Sequence, residues 1–183
     1  AGVKVGDSVI VSLIRHCGQC FHCSRGEPTQ CETQFPLDVP GRIRDTAGSP
    51  IKQGIRTAAF AEQTVVHESQ CVVMPKDLGF EQASLLACGV VTGLGAVTNT
   101  AKVPVGSSVV VIGTGGVGLN SIQGARLSGA HPIIAIDLSD TKLEAARTFG
   151  ATHGVNPSRE DAVATVRALT EGRGADTVLV TVG

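Results

Sequence analysis

Tryptophan and tyrosine are absent from this 183-residue chain, and phenylalanine occurs only five times. A core of stacked aromatics is excluded, and whatever packs must be built mainly of valine, isoleucine, leucine and alanine. Neither charge is in excess: fifteen Lys and Arg against sixteen Asp and Glu leave a formal charge of -1. No overall field therefore draws the chain toward nucleic acid or an anionic membrane. An uninterrupted apolar run of about 18 residues is also missing. The opening residues, Ala1-Gly2-Val3-Lys4, lack the basic, apolar and small-residue succession of a secretion signal. The expectation is a cytoplasmic protein with neither membrane nor nucleic acid as partner. The 23 glycines follow no strict period, which excludes a collagen-like chain and points to tight turns and close backbone approaches.

What is present changes character along the chain. Lys4-Val5-Gly6-Asp7 reads as a turn and Ser8 to Ile14 as a strand. From Cys31 to about Thr57 the chain is rich in Pro, Gly and Asp and should be irregular. Ala58 to Val66 and Cys71 to Met74 read as strands, Phe80 to Cys88 as a helix and Val90 to Asn99 as a second short helix. After Pro104-Val105-Gly106, strands and helices alternate. Ser108 to Ile112 and Pro132 to Ile136 are apolar strands; Gly116 to Gly129 and Ser139 to Phe149 are helices, the latter with Ser139 as N-cap and Gly150 just past its end. Ser158 and Asp161 make a capping-box pattern before a helix reaching about Thr170, and Thr177 to Val182 is a fourth strand. Such alternation implies an α/β fold with a parallel sheet covered on both faces. The domain boundary is expected near residue 100, giving domains 1–100 and 101–183.

The first chemical signal is Cys17-Gly18-Gln19-Cys20-Phe21-His22-Cys23, completed by Cys31. Four thiolates at this spacing can surround one Zn2+ tetrahedrally. All four positions would then be filled by protein, so the ion would be structural, fixing a loop (17–31) that has little apolar core. Disulfides, an iron–sulfur cluster and four independent thiols are the alternatives. His22 lies inside the cluster, but the tetrahedron is complete without it.

The second signal is Gly113-Thr114-Gly115-Gly116-Val117-Gly118, directly after a strand and opening a helix. Gly113 permits the tight turn, Gly115 lets a pyrophosphate approach the backbone, and Gly118 lets helix and sheet pack closely. The following helix N-terminus presents amides to phosphate oxygens. Asp137, 24 residues after Gly113 at the end of the next strand, can accept ribose hydroxyls and repel a 2'-phosphate, favouring NAD over NADP. Lys142 can reach the same ribose edge, or is a solvated helix residue. A flavin or S-adenosylmethionine can use related cradles. Cys88, followed by Gly89-Val90-Val91-Thr92, reads from the residues alone as a buried small side chain or as one ligand of a metal. Cys71 reads as packing, and His16, His67, His131 and His153 have no recurring ligand spacing.

Together the cysteine lobe and the Gly-rich turn resemble those of the zinc-dependent alcohol dehydrogenases of the medium-chain dehydrogenase/reductase family. The resemblance spans essentially the whole chain. It implies part of a mainly β, GroES-like catalytic domain followed by an incomplete, doubly wound Rossmann-type domain. It further implies that Cys17, Cys20, Cys23 and Cys31 hold a structural zinc, and that Cys88, in Cys88-Gly89-Val90-Val91-Thr92-Gly93, is one ligand of a catalytic zinc. Thr92 would lie near the nicotinamide, Val117 behind that ring, Gly113, Gly115, Gly116 and Gly118 at the pyrophosphate, and Asp137 and Lys142 at the adenosine ribose. The implied reaction is NAD-linked interconversion of small alcohols and aldehydes, in a homodimer or homotetramer. The segment from Glu32 to Arg56 is similar to class III and actinobacterial-type members, which raises the alternative of a thiol-linked hydroxymethyl (formaldehyde) dehydrogenase. A noncatalytic NAD-binding zinc protein is a further alternative. The family's other catalytic-zinc ligands, its proton relay and its last Rossmann strands have no counterpart in these residues. The chain therefore reads as a central fragment, inactive by itself.

Overall fold

The computed structural model describes residues 2–39 and 41–182. Two compact units divide the chain, Ala1–Cys88 and Gly89–Gly183. The division falls ahead of the position near 100 expected from the sequence. Residues after Cys88 group with the nucleotide-binding part because Gly93 and Val97 pack closely on the helix that follows the Gly-rich turn.

In the first unit, β1 (Val9–Val11) pairs antiparallel with β4 (Cys71–Val73), Val9 opposite Val73 and Val11 opposite Cys71. The ladder continues through the Ser12 amide to the Gln70 carbonyl and the Met74 amide to the Ser8 carbonyl, both 2.8 Å. Between these strands the chain makes short 3-10 turns and one hairpin, β2 (Ile43–Arg44) against β3 (Pro50–Ile51). The Asp45 carboxylate accepts the Ala47 and Ser49 amides and closes that hairpin. Phe35, Met74 and Ala83 are the buried apolar side chains among the described residues of this unit. Buried polar groups supplement them. Gln70 donates to the Ser12 and Arg56 carbonyls and accepts the His67 amide. Arg15 lies 4.4 Å from the Phe35 ring centroid and pairs with Asp38.

Ala58 to Val66 does not form the expected strand. Ile55, Arg56 and Ala58 have φ of 51°, 59° and 47°, outside the extended region, so the segment enters through a left-handed turn and pairs with no strand among the described residues. Phe60 is fully exposed. The unit ends with α1 (Phe80–Leu85) and the start of a π turn, Leu86–Val90.

The second unit is core-built. Helix α2 (Val91–Gly95) leads into a π turn, Ala96–Ala101. Then come β5 (Val109–Ile112), α3 (Gly116–Leu127), β6 (Ile133–Ile136), α4 (Asp140–Phe149), β7 (His153–Val155), α5 (Ala162–Leu169) and β8 (Thr177–Val180). The four strands make a parallel sheet in the order β7-β6-β5-β8. Val109, Val111, Ile133 and Ala135 face α3 and α4 with Ile122, Ala125, Leu143 and Ala146. Val110, Ile134, Ile136 and Val155 face the opposite layer with Ala162, Val166 and Leu169 of α5. Alternate side chains of buried strands thus find helices on both sides, as the apolar strands predict. On β8, Val178 and Val180 are exposed and Leu179 packs inward. Ser139 caps α4 as expected, accepting the Lys142 amide. The cap of α5 is Asp161, which accepts the Val163 and Ala164 amides, rather than Ser158. Ser158 instead binds the Asn156 side chain.

The helical stretch Phe80–Ala101 is, by length and composition, one that could cross a membrane. Its apolar residues are interrupted by Glu81, Gln82 and Ser84. Gly93 and Val97 are buried in this stretch and contact α3, so part of its apolar surface serves protein packing.

Candidate functional site

The cysteine loop is built by short-range hydrogen bonds. Gly18 takes φ of 79°; the Ser24 amide donates to the Cys20 carbonyl at 3.0 Å, and the Cys31 amide to the Pro28 carbonyl at 3.2 Å. These turns bring the sulfurs of Cys17, Cys20, Cys23 and Cys31 to within 4.8 Å of one another. Cys17 to Cys23 and Cys20 to Cys31 are each 3.9 Å, Sγ to Sγ. Zinc–sulfur bonds of about 2.3 Å in a tetrahedron require sulfur separations of about 3.8 Å. The donor set therefore fits one tetrahedral ion, and the cluster can coordinate a metal. The Thr33 hydroxyl and the Gln19 amide hold the Cys17 thiol down to about 6, while burial pushes Cys23 up to about 11. His22 Nδ1 lies 3.2 Å from Glu27 Oε2.

The Gly-rich turn joins β5 to α3. Gly113 has φ of 89°, and a Cβ there would lie 2.3 Å from Val182 Cγ1. A Cβ on Gly118 would lie 1.8 Å from the Gly113 carbonyl oxygen, so only glycine lets α3 begin this close to the strand. Gly115 and Gly116 face open space, a cradle into which a pyrophosphate fits at the N-terminus of the twelve-residue α3. Asp137, at the end of β6, has three donors. The Thr114 amide at 2.9 Å and hydroxyl at 3.1 Å both reach Oδ2, and the Ser139 amide reaches Oδ1 at 3.0 Å. Burial raises the Asp137 carboxyl, but the Thr114 and Ser139 amides, the Thr114 hydroxyl and the Lys142 charge outweigh it, and the net shift is downward. The group stays ionised at neutral pH.

Thr92 is exposed on α2 beside the buried Gly93. A Cβ on Gly93 would lie 2.5 Å from the Val117 carbonyl oxygen, and Ser121 donates to the carbonyls of Gly93 and Val117 at 3.3 and 3.1 Å. The structure thus brings the segment of Thr92 against the start of α3, where Val117 lies. Cys88 is an exposed free thiol. The four-cysteine cluster is the group of three or more metal-capable side chains among the described residues, and Cys88 is outside it. Thr114 and Ser121 went unnoticed in the sequence. Thr114 fills a variable position of the glycine pattern, although a hydroxyl within reach of a following acidic residue is a usable hint. Ser121 lies one turn from Gly118 on the buried face of α3, a position where a polar side chain must find a partner.

Comparison with known proteins bears on both units. Residues 1–76 match the alcohol dehydrogenase GroES-like domain, and residues 116–183 match the zinc-binding dehydrogenase family. Both parts of the chain thus match the zinc-dependent alcohol dehydrogenase family. Within this family it is 41% identical over 165 residues to an S-(hydroxymethyl)glutathione dehydrogenase of Photobacterium damsela subsp. piscicida, covering 87% of this chain and 45% of that protein. It is 38% identical over 177 residues to the enzyme so named from Paracoccus denitrificans, covering 92% and 47%. The crystal structure of benzyl alcohol dehydrogenase from Acinetobacter calcoaceticus superposes with a TM-score of 0.84 at 34% identity, over 100% of this chain and 51% of that one. The chain thus spans about half the length of the relatives it matches. Its GroES-like part and its Rossmann-type parallel sheet are those of the family, and the latter is compatible with NAD.

Proposed function

We propose that this chain supplies the structural-metal lobe and the coenzyme cradle of an NAD-dependent oxidoreductase whose substrate is the hydroxymethyl adduct of a small thiol. The observation that carries the coenzyme half is the open cradle at Gly115 and Gly116 with the ionised Asp137 beside it. Names of the relatives support the substrate class, since those at 41% and 38% identity act on S-(hydroxymethyl)glutathione. The second reading, general alcohol and aldehyde interconversion, is favoured by the likeness to benzyl alcohol dehydrogenase.

In this reading Cys17, Cys20, Cys23 and Cys31 hold Zn2+ as a structural ion and take no part in hydride transfer. Cys88 is one ligand of a catalytic Zn2+, whose chemistry when bound is to lower the pKa of a substrate hydroxyl and stabilise the alkoxide. One thiol does not make a metal site, so that assignment rests on the resemblance of residues 88–93. Gly113, Gly115, Gly116 and Gly118 let the backbone approach the pyrophosphate. Val117 and Thr92 flank the nicotinamide, and Asp137 with Lys142 orients the adenosine ribose. NAD accepts the hydride; the chain's contribution is alignment and exclusion of the wrong coenzyme. We place the protein in the cytoplasm as a homodimer or homotetramer, which light scattering on the purified protein tests.

The deciding experiment follows NADH formation by the protein that carries this chain, with hydroxymethyl adducts of several thiols against benzyl and aliphatic alcohols. A kcat/KM at least tenfold higher for one adduct is expected. Equal values favour general alcohol oxidation. NAD binding without hydride transfer to any of them overturns the enzymatic reading.

A further inference from the structure

Asp137 is more heavily engaged than a simple ribose acceptor would be. A carboxylate offers about four lone-pair sites. Thr114 occupies both sites of Oδ2, through its amide at 2.9 Å and its hydroxyl at 3.1 Å, and the Ser139 amide occupies one site of Oδ1. Thr114 is 2% exposed, so its hydroxyl has little access to water as an alternative partner. The Gly113 amide donates to the Ile136 carbonyl at 2.8 Å and the Asp137 amide to the Val155 carbonyl at 3.2 Å. Both ends of the Thr114–Asp137 bridge are thereby tied to strands of the sheet. Oδ1, with one donor, is the more open of the two oxygens.

We infer that Thr114 is a positioning residue for coenzyme choice: its hydroxyl, together with its amide, holds Oδ2 of Asp137 and so fixes how the carboxylate faces the adenosine ribose. The inference rests on the NAD reading above. Lys142, whose charge acts on Asp137, is a donor suited to a hydroxyl oxygen. A 2'-phosphate would meet a carboxylate that the clamp prevents from turning aside. Without the hydroxyl, Asp137 keeps one amide on Oδ2 and gains freedom to rotate. NAD then loses a preset acceptor, while NADP, which gains nothing from that carboxylate, is affected less.

The test is calorimetric binding of NAD and of NADP to the protein that carries this chain and to its Thr114→Val, Thr114→Ser, Asp137→Asn and Thr114→Val with Asp137→Asn variants. Thr114→Val should weaken NAD about tenfold, the order of one lost hydrogen bond to a charged acceptor, and narrow the NAD preference. Thr114→Ser should restore both. In the Asp137→Asn background the valine should cost little more, because Thr114 acts through the carboxylate. If Thr114→Val does not fold, Thr114→Ala replaces it in the same cycle. Wild-type affinity and preference in Thr114→Val overturn the inference alone. A valine defect that serine fails to rescue, or that persists undiminished without the carboxylate, makes Thr114 a packing residue and also overturns it. If the unaltered protein binds no NAD, the coenzyme reading falls and this inference with it.

Discussion

The two units hold themselves together by different means. In the first, Phe35, Met74 and Ala83 are buried alongside the polar Arg15 and Gln70, and four thiols converge in a loop otherwise held by short-range hydrogen bonds. In the second, strands of valine and isoleucine are buried between helices on both faces of a sheet. A metal-fixed loop concentrates its stability in one bound ion, whereas a packed sheet spreads it over many contacts. Metal removal is therefore the largest test of the comparison. Chelation, or Cys20→Ser, should abolish amide protection across residues 17–31 while leaving residues 109–136 protected, as read by hydrogen-exchange mass spectrometry. Structural zinc in small domains is worth on the order of 10 kcal/mol, so the loop should not survive its loss. Equal loss of protection in both regions would break the comparison.

The second unit should be as sensitive to packing as the first is to metal. Gly118→Ala would put Cβ 1.8 Å from the Gly113 carbonyl oxygen, and Gly93→Ala 2.5 Å from that of Val117. Neither neighbour is a flexible side chain, so backbone must move. Overpacking of this kind costs about 3 kcal/mol, or roughly 6–12 °C of Tm, readable by calorimetry. Gly18→Ala in the loop is the matched control: no atom lies within 4 Å of its Cβ position, and φ of +79° is the sole obstacle. It should cost only about 1 kcal/mol. A larger loss for Gly18→Ala than for Gly118→Ala would reverse the comparison.

What the sequence made legible follows the same division. The strands at Val109–Ile112 and Ile133–Ile136 and the N-cap Ser139 are dictated by local chemistry, and they occur where their patterns place them. The four cysteines were legible because their spacing alone brings thiols together. Ala58 to Val66 misled because its composition suits a strand, while a local turn, in which the Thr57 and Ala58 amides both donate to the Gly54 carbonyl, leads into it with left-handed backbone at Ile55, Arg56 and Ala58. Ser158 misled for a related reason. Its hydroxyl had a nearer partner in Asn156, leaving the helix to Asp161. Thr114 was invisible as a site residue because its importance depends on Asp137, which lies 23 positions away in sequence and joins it across neighbouring strands.

Acid should find the first unit's charged contact before it disturbs the apolar sheet. The Arg15 guanidinium holds the Asp38 carboxyl below the ordinary aspartate range. A carboxyl depressed in the folded state contributes stability that is present above its unfolded pKa, about 3.9, and is lost as pH falls through the lower folded value. The loss should thus develop below about pH 4. Asp38 is partly exposed, so screening keeps the effect modest. Asp38→Asn should flatten the dependence of Tm on pH in that range. An unchanged slope would mean that the pair contributes nothing measurable.

The smallest effect expected separates two carboxylates that are bound alike. Asp176 Oδ2 accepts the amide and the hydroxyl of Ser108, each at 2.7 Å, much as Asp137 Oδ2 accepts those of Thr114. Ser108 precedes β5 and Thr114 follows it, so the two clamps lie at opposite ends of one strand. In a parallel sheet, ligands bind beyond the carboxyl ends of the strands. The Thr114 clamp is at that end, and the Ser108 clamp is at the other. Ser108→Ala should lower Tm by a few degrees at most, since it removes a hydroxyl that donates to Asp176 Oδ2 and accepts the Asp176 amide at 2.9 Å. It should leave the affinity for NAD unchanged. Measured beside Thr114→Val, it asks whether a bridge matters for what it holds or for where it stands. Similar NAD affinities in the two variants would leave position on the strand without consequence.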